Sequence, residues 1–179
     1  MKLSTIITEL RRRCPSFEKR VYGVAEWAAR EKVNLPMPSA YVLPLGESAD
    51  LVSMTTDYRQ HVEQSFGVAV LISTKLDDPT GLQAFDKSED VKAEIFRALV
   101  GWETDETDAV IYEGSTVLEL NRAFLCVQFE FSVSYDITDA DTRHGAMLDE
   151  LTPFDGVDMD VDLMKPDGSI DAKVTINLE

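Results

Sequence analysis

Asp158, Asp160 and Asp162 are the residues of this chain whose type and spacing come nearest to a chemical site. Asp-x-Asp-x-Asp opens an EF-hand loop, in which alternate oxygen ligands begin to wrap a calcium ion. That loop also needs Gly at its sixth position and a bidentate Glu at its twelfth. Here those positions hold Leu163 and Ser169, so the pattern fails. On a strand the three carboxylates would project in one row rather than around an ion. The reading is a solvated acidic face with no metal.

The two histidines offer no alternative. His61 lies in a strand-like run and His144 in a polar stretch, neither beside a nucleophile pattern. There is no phosphate loop, no G-x-G-x-x-G and no H-E-x-x-H. No catalytic residue and no cofactor are therefore expected. A metal-dependent binding module or enzyme built on Asp158, Asp160 and Asp162 stays as the reading from a different class.

Charge offers a second kind of chemistry, surface complementarity. Arg11, Arg12 and Arg13 close a helical pattern, where cations favour the negative end of the helix dipole. A solvated helix end is the first reading and a partner patch the second. Residues 1–35 hold eight basic residues against four acids, whereas the chain from Asp136 onward holds three against twelve. The formal net charge is -16. Tight nucleic-acid binding needs cations at the phosphates, so this chain should be repelled by DNA overall. Its two ends are able to attract each other or complementary ends of neighbouring copies.

The elements that must carry these residues are legible in the periodicity. Leu3, Ile6, Ile7, Leu10 and Cys14 follow helical spacing, with Ser4 or Thr5 as cap and Pro15 as stop. Arg20–Gly23 reads as a short strand and Val24–Glu31 as helical. Pro36, Pro38 and Pro44 confine any strand at Ser39–Leu45 to an edge or to a short run. Gly46–Met54 reads as an exposed loop. Tyr58–Thr74 alternates as a strand buried on both faces near its end, and Lys75–Gly81 follows as a loop. Val91, Ile95, Phe96, Leu99 and Val100 form a helical stripe stopped by Gly101, with Asp86 and Glu89 as a capping box or Ser88 as rival cap. Trp102 reads as a lid on the core. Ala109–Tyr112 and Thr116–Leu120 read as two short strands joined at Glu113–Ser115.

Ala123–Ile137 gives the clearest alternation. Val127, Phe129, Phe131, Val133 and Tyr135 fall on one face and Gln128, Glu130, Ser132 and Ser134 on the other, as a central strand with one face at least partly wet requires. Beyond it, Thr138–Phe154 is polar, with room for a short helix around Ala146–Leu151. Val157–Leu163 and Ile170–Leu178 alternate around Lys165-Pro166-Asp167-Gly168, a β-hairpin with one apolar and one acidic face. Such a hairpin is marginal alone, so its apolar face must dock on the main domain or on another subunit. The fold class expected is α+β, a mostly antiparallel sheet with two main helices packed on it. Residues 1–137 form the principal domain and 138–179 an acidic extension with its hairpin at about 157–178.

Composition is that of a globular protein: 44% hydrophobic and 28% charged over 179 residues and 20.0 kDa. No run is long and apolar enough for a membrane span, and MKLSTIITELRRR lacks a signal-peptide pattern, so a cytoplasmic site of synthesis is expected. Cys14 and Cys126 each occupy an apolar position and read as reduced, buried thiols.

In order and spacing, LRRRCPSFEKRVYGVAEWA, NLPMPSAYVLPLGE, QHVEQSFGVAVLI, FRALVGW and IYEGSTVLELNRAFLCVQFEFS resemble the tail terminator (tail completion) proteins of Mu-like, siphovirus and myovirus phages, over roughly residues 3–135. The resemblance implies an α+β subunit in a homohexameric ring at the head-proximal end of the virion tail. That ring caps the tail tube, stops its polymerisation and presents a surface to a neck or head-completion protein, with a sheath as a further partner. The resemblance further implies that DNA passes through the lumen without specific binding, that no membrane is involved, and that assembly takes place in the host cytoplasm. Another head–tail joining protein is the alternative within the same class. The family brings no catalytic residues, and its pattern does not account for the acidic hairpin. Arg11, Arg12, Arg13, Asp158, Asp160 and Asp162 are the expected interface residues.

Overall fold

The alternation at residues 124–138 becomes one long strand, β6 (Phe124–Thr138), which lies between two others in the sheet. The computed structural model describes residues 1–29, 36–54, 58–74, 82–151, 156–161 and 172–177. Chain order is α1 (Leu3–Arg13), β1 (Val21–Tyr22), α2 (Val24–Ala29), β2 (Ser39–Ala49), β3 (Ser53–Met54), β4 (Tyr58–Ser73), α3 (Leu82–Leu99), β5 (Ile111–Leu120), β6, α4 (Arg143–Asp149), β7 (Gly156–Val161) and β8 (Ala172–Asn177). The fold is α+β. Its sheet runs β1-β2-β4-β6-β5, with β3 beside β4, and is antiparallel except where β1 meets β2. The hairpin β7–β8 forms a second, separate sheet. The chain divides into two compact units, Met1–Thr138 and Asp139–Glu179.

The pairing of β4 with β6 is unbroken from Arg59↔Thr138 to Ser73↔Phe124. Opposed residues share a face, so Phe66, Val68, Val70 and Ile72 line up with Phe131, Phe129, Val127 and Leu125. The helices α1 and α3 bury this face with Ile6, Leu10, Val91, Ile95 and Leu99, joined by Cys14 just beyond α1. Phe66 stacks on Phe131 at 5.4 Å, and Phe96 of α3 meets Tyr112 at 4.6 Å. Trp102 packs partly buried against the same cluster, as a lid would. The opposite face carries a smaller cluster of Tyr41, Leu43, Ala69, Leu71 and Cys126, covered in part by Trp27 of α2. That second cluster explains why β4 is buried on both sides from Phe66 to Ile72. Both cysteines are buried, and neither is in a disulfide.

Several local expectations are corrected. The residue before α1 is Lys2, without a side-chain cap, so neither Ser4 nor Thr5 caps the helix. The acid-x-x-Glu pattern at Asp86 and Glu89 is no cap either: α3 already runs from Leu82, and the Ser88 hydroxyl donates to the Phe85 carbonyl at 2.7 Å inside it. Of the two readings for Pro44, an edge or a short run, the edge holds and the short run does not. β1 pairs only with Ala40 and Tyr41, so Pro44 lies where β2 has no neighbour on that side among the described residues, and no ladder donor is missed. The strand therefore continues to Ala49, with a bulge at Pro44/Gly46, through residues expected to be loop. The two short strands expected at 109–120 are one strand interrupted by bulges at Tyr112/Gly114 and Val117/Glu119. The short helix expected at Ala146–Leu151 begins earlier, at Arg143, because the Thr142 hydroxyl caps it by accepting from the Gly145 amide at 3.2 Å. The loop at Lys75–Gly81 and the turn at Lys165–Gly168 lie outside the described residues.

Candidate functional site

The triple arginine is divided by its neighbours. Arg11 turns inward: its Nε donates to the Val21 carbonyl at 3.0 Å, tying α1 to β1. Arg12 grips Glu9 in a fork, with Nε and Nη2 at 2.9 and 2.6 Å from the two carboxylate oxygens, and Arg13 reaches the same carboxylate. The Arg12 hydrogen bonds, working against partial burial and helped by Arg13, hold the Glu9 carboxyl below its ordinary value. Arg12 and Arg13 stay on the surface as a compensated group, and Arg11 serves the fold.

Of the three hairpin aspartates, Asp158 accepts from the Thr175 hydroxyl at 2.6 Å and Asp160 lies 3.6 Å from the Lys173 ammonium. Both partners stand directly opposite in the register, Asp158↔Thr175 and Asp160↔Lys173. Asp162 lies outside the described residues. Among those described, no three His, Cys, Asp or Glu side chains gather as a metal site would require. The apolar row of the hairpin, Val157, Met159, Val174 and Ile176, is 39–51% exposed.

Sequence reasoning missed a polar cluster where β4 and β6 meet near their outer ends. Asp136 accepts from Arg59 Nε at 2.8 Å and faces His61 Nδ1 at 3.0 Å. The bonds to His61 and Arg59 lower the Asp136 carboxyl from its ordinary value. These three side chains, with Asp50, Leu51 and Asp108, line an open depression of about 440 Å³. Arg59 and His61 are two apart on one strand, which places them on one face; nothing in the sequence announces that Asp136 stands opposite His61. The cluster joins the two strands through side-chain bonds that cross from β4 to β6.

Missed as well was the breadth of exposed apolar surface on β5. Ile111, Val117, Leu118 and Leu120 are 44–55% exposed, on a strand whose outer edge has no partner among the described residues. A long, apolar edge strand invites another chain to pair or pack. The chemistry these surfaces offer is association.

Comparison with known proteins agrees with that character. The profile of the phage tail terminator protein family matches residues 1–142. Among solved structures, a chain from the virion of a native gene transfer agent particle superposes with a TM-score of 0.51 at 13% identity, covering 75% of this chain and 94% of that one. At that identity the likeness is one of fold. No curated protein matches. A family profile that spans β1 to β6 and both core helices leaves one conclusion: the chain belongs to the phage tail terminator family and is a structural protein of the phage tail.

Proposed function

We propose that six copies form a closed ring at the head-proximal end of the tail, capping the tail tube, ending its polymerisation and offering the surface to which a neck or head-completion protein joins. The family match over residues 1–142 carries this reading. Two features support it. The chain exposes apolar residues on β5 and on the hairpin, two different surfaces of the kind a heterologous, ring-closing interface needs. Its net charge of -16 suits a lumen through which DNA slides without being held. In this reading residues 1–137 build the ring, 138–179 elaborate it, and Arg12, Arg13, Asp158, Asp160 and Asp162 contribute to its interfaces. Tail tube protein is the partner on one side and neck protein on the other, with a sheath outside in a contractile tail. Assembly occurs in the host cytoplasm, without cofactor or catalysis.

Light scattering after size exclusion, with negative-stain images of the same peak, tests the ring. The expected mass is about six times 20.0 kDa, in ring-shaped particles. If the free protein is smaller, adding it to growing tail tubes should halt their elongation. Neither ring nor halted growth would overturn the proposal in favour of another head–tail joining protein.

A further inference from the structure

We infer that the C-terminal hairpin of one copy docks, through its apolar face, on the β5 side of the sheet of a neighbouring copy, an inference that rests on the ring reading. The hairpin register sets Val157 opposite Ile176 and Met159 opposite Val174, so these four share one face, while Asp158, Asp160, Lys173 and Thr175 share the other. A two-stranded ribbon of six residues a side is marginal in water unless that apolar face is covered.

The surface that fits it is built by the bulges of β5. A plain alternation from Tyr112 would send Leu120 to the core side and Val117 away from it. The two bulges shift the phase so that Val117 stands opposite Val127 and Leu120 opposite Leu125, both on the core side. Val127 and Leu125 are 5% and 0% exposed, yet Val117 and Leu120 are 49% and 53% exposed. The buried face of the sheet thus runs out uncovered at β5, with Leu118 at the second bulge beside it. Two residues beyond Leu120, Arg122 is exposed and has no carboxylate partner among the described residues. Residues 139–179 carry eleven acids against three bases, a net of -8. An apolar patch bordered by an uncompensated cation therefore meets an apolar ribbon in an acidic segment. A second copy is the occupant because a ring joins two unlike surfaces of one chain, and each copy supplies one hairpin and one β5 patch, leaving none unmatched.

Thiol cross-linking between separately labelled copies tests this. Leu120→Cys and Ile176→Cys are made in separate full-length proteins, with Val117→Cys and Met159→Cys as a second pair. All four positions are exposed, and native Cys14 and Cys126 are buried and compete little for reagent. The assembled species, in solution or on purified tail tubes, is treated with a short bismaleimide. The expected result is a covalent dimer in the mixtures, little or none with either variant alone, and a ladder of oligomers from the Leu120→Cys/Ile176→Cys double variant. A double variant that closes only within its own chain would overturn the inference, and so would mixtures that stay unlinked. The native mass of the same samples is read separately. A ring without cross-links therefore removes the docking site and leaves the ring; the absence of both removes both.

Discussion

The two units of this chain solve the burial problem in opposite ways. Met1–Thr138 closes a sheet under α1 and α3, with Phe66, Phe129 and Phe131 essentially without solvent contact. In Asp139–Glu179, Gly145 is the one fully buried residue among those described, while Met147, Leu148, Leu151 and the apolar row of the hairpin are exposed. Conformational entropy opposes ordering by about 1–2 kcal/mol per residue, and burial must offset it. The first unit meets that cost from its own sequence. The second invites cover from elsewhere, which is the physical meaning of its alternating acidic and apolar rows. The comparison breaks most directly at Phe131. Phe131→Ala removes a ring stacked on Phe66 and touched by Phe96 and Tyr112, and should lower the stability of the first unit by about 3–5 kcal/mol in urea unfolding. Ile176→Ala, equally apolar but half exposed, should change monomer stability by no more than about 0.5 kcal/mol. Equal losses would erase the distinction.

A second substitution asks whether the units unfold independently. A Cβ on Gly145 would sit 2.2 Å from the carbonyl oxygen of Asp139 and 3.1 Å from the Cα of Ala140, backbone atoms that cannot swing aside. Gly145→Ala should open the corner between the 3-10 turn at Asp139–Asp141 and α4, at a cost of about 1–3 kcal/mol. Hydrogen exchange should show protection lost across α4 while the unfolding midpoint of the first unit holds. A matching drop in that midpoint would mean one cooperative transition rather than two.

A smaller effect separates the arginines of α1. Arg11→Ala leaves the Val21 carbonyl without its charged donor and should cost about 1–2 kcal/mol of first-unit stability. Arg13→Ala loosens only a surface pair with Glu9, worth at most about 1 kcal/mol. If Arg13→Ala proved the more damaging, α1 would be held to the fold by its outer face.

How much of this was legible follows from what each feature depends on. Alternation in β4, β6 and the hairpin is a local property, so Phe129, Phe131 and Val174 announced their faces from sequence. Arg11 and Arg12 looked alike because helix position is local, whereas the Val21 carbonyl that claims Arg11 is brought near only by the turn at Pro15–Phe17. Bulges belong to a pair of strands, so β5 read as two pieces until β6 lay beside it. Pro44 left an edge or a short run equally open, because its missing donor matters only where a neighbour asks for it, and β1 ends too soon to ask. The depression at Asp136 was invisible for the same reason: Arg59 and His61 meet it through a register that many contacts set together.

The smallest expected effect lies at the boundary itself. Asp136 stands two residues before the end of the first unit, and its bonds to His61 and Arg59 hold the last pairs of β6 against β4. Its carboxyl is depressed in the folded chain, first by His61 and then by Arg59. In the window between the folded value and the ordinary one, near 3.8, the unfolded chain binds more protons than the folded chain. Stability therefore rises with pH across that window. The contribution of the cluster is complete above the ordinary value and is lost as pH falls through the folded one. Carbon-detected NMR of the Asp136 carboxyl should show a midpoint below that of an exposed aspartate. His61→Ala should move the midpoint upward, and Asp136→Asn should flatten the acid limb of the unfolding curve. The β4–β6 amides nearest the boundary should lose protection first on acidification. If they instead outlast the pairs around Phe66 and Phe131, the end of the first unit is held by something other than this cluster, and the division at Thr138 is not where the chain comes apart.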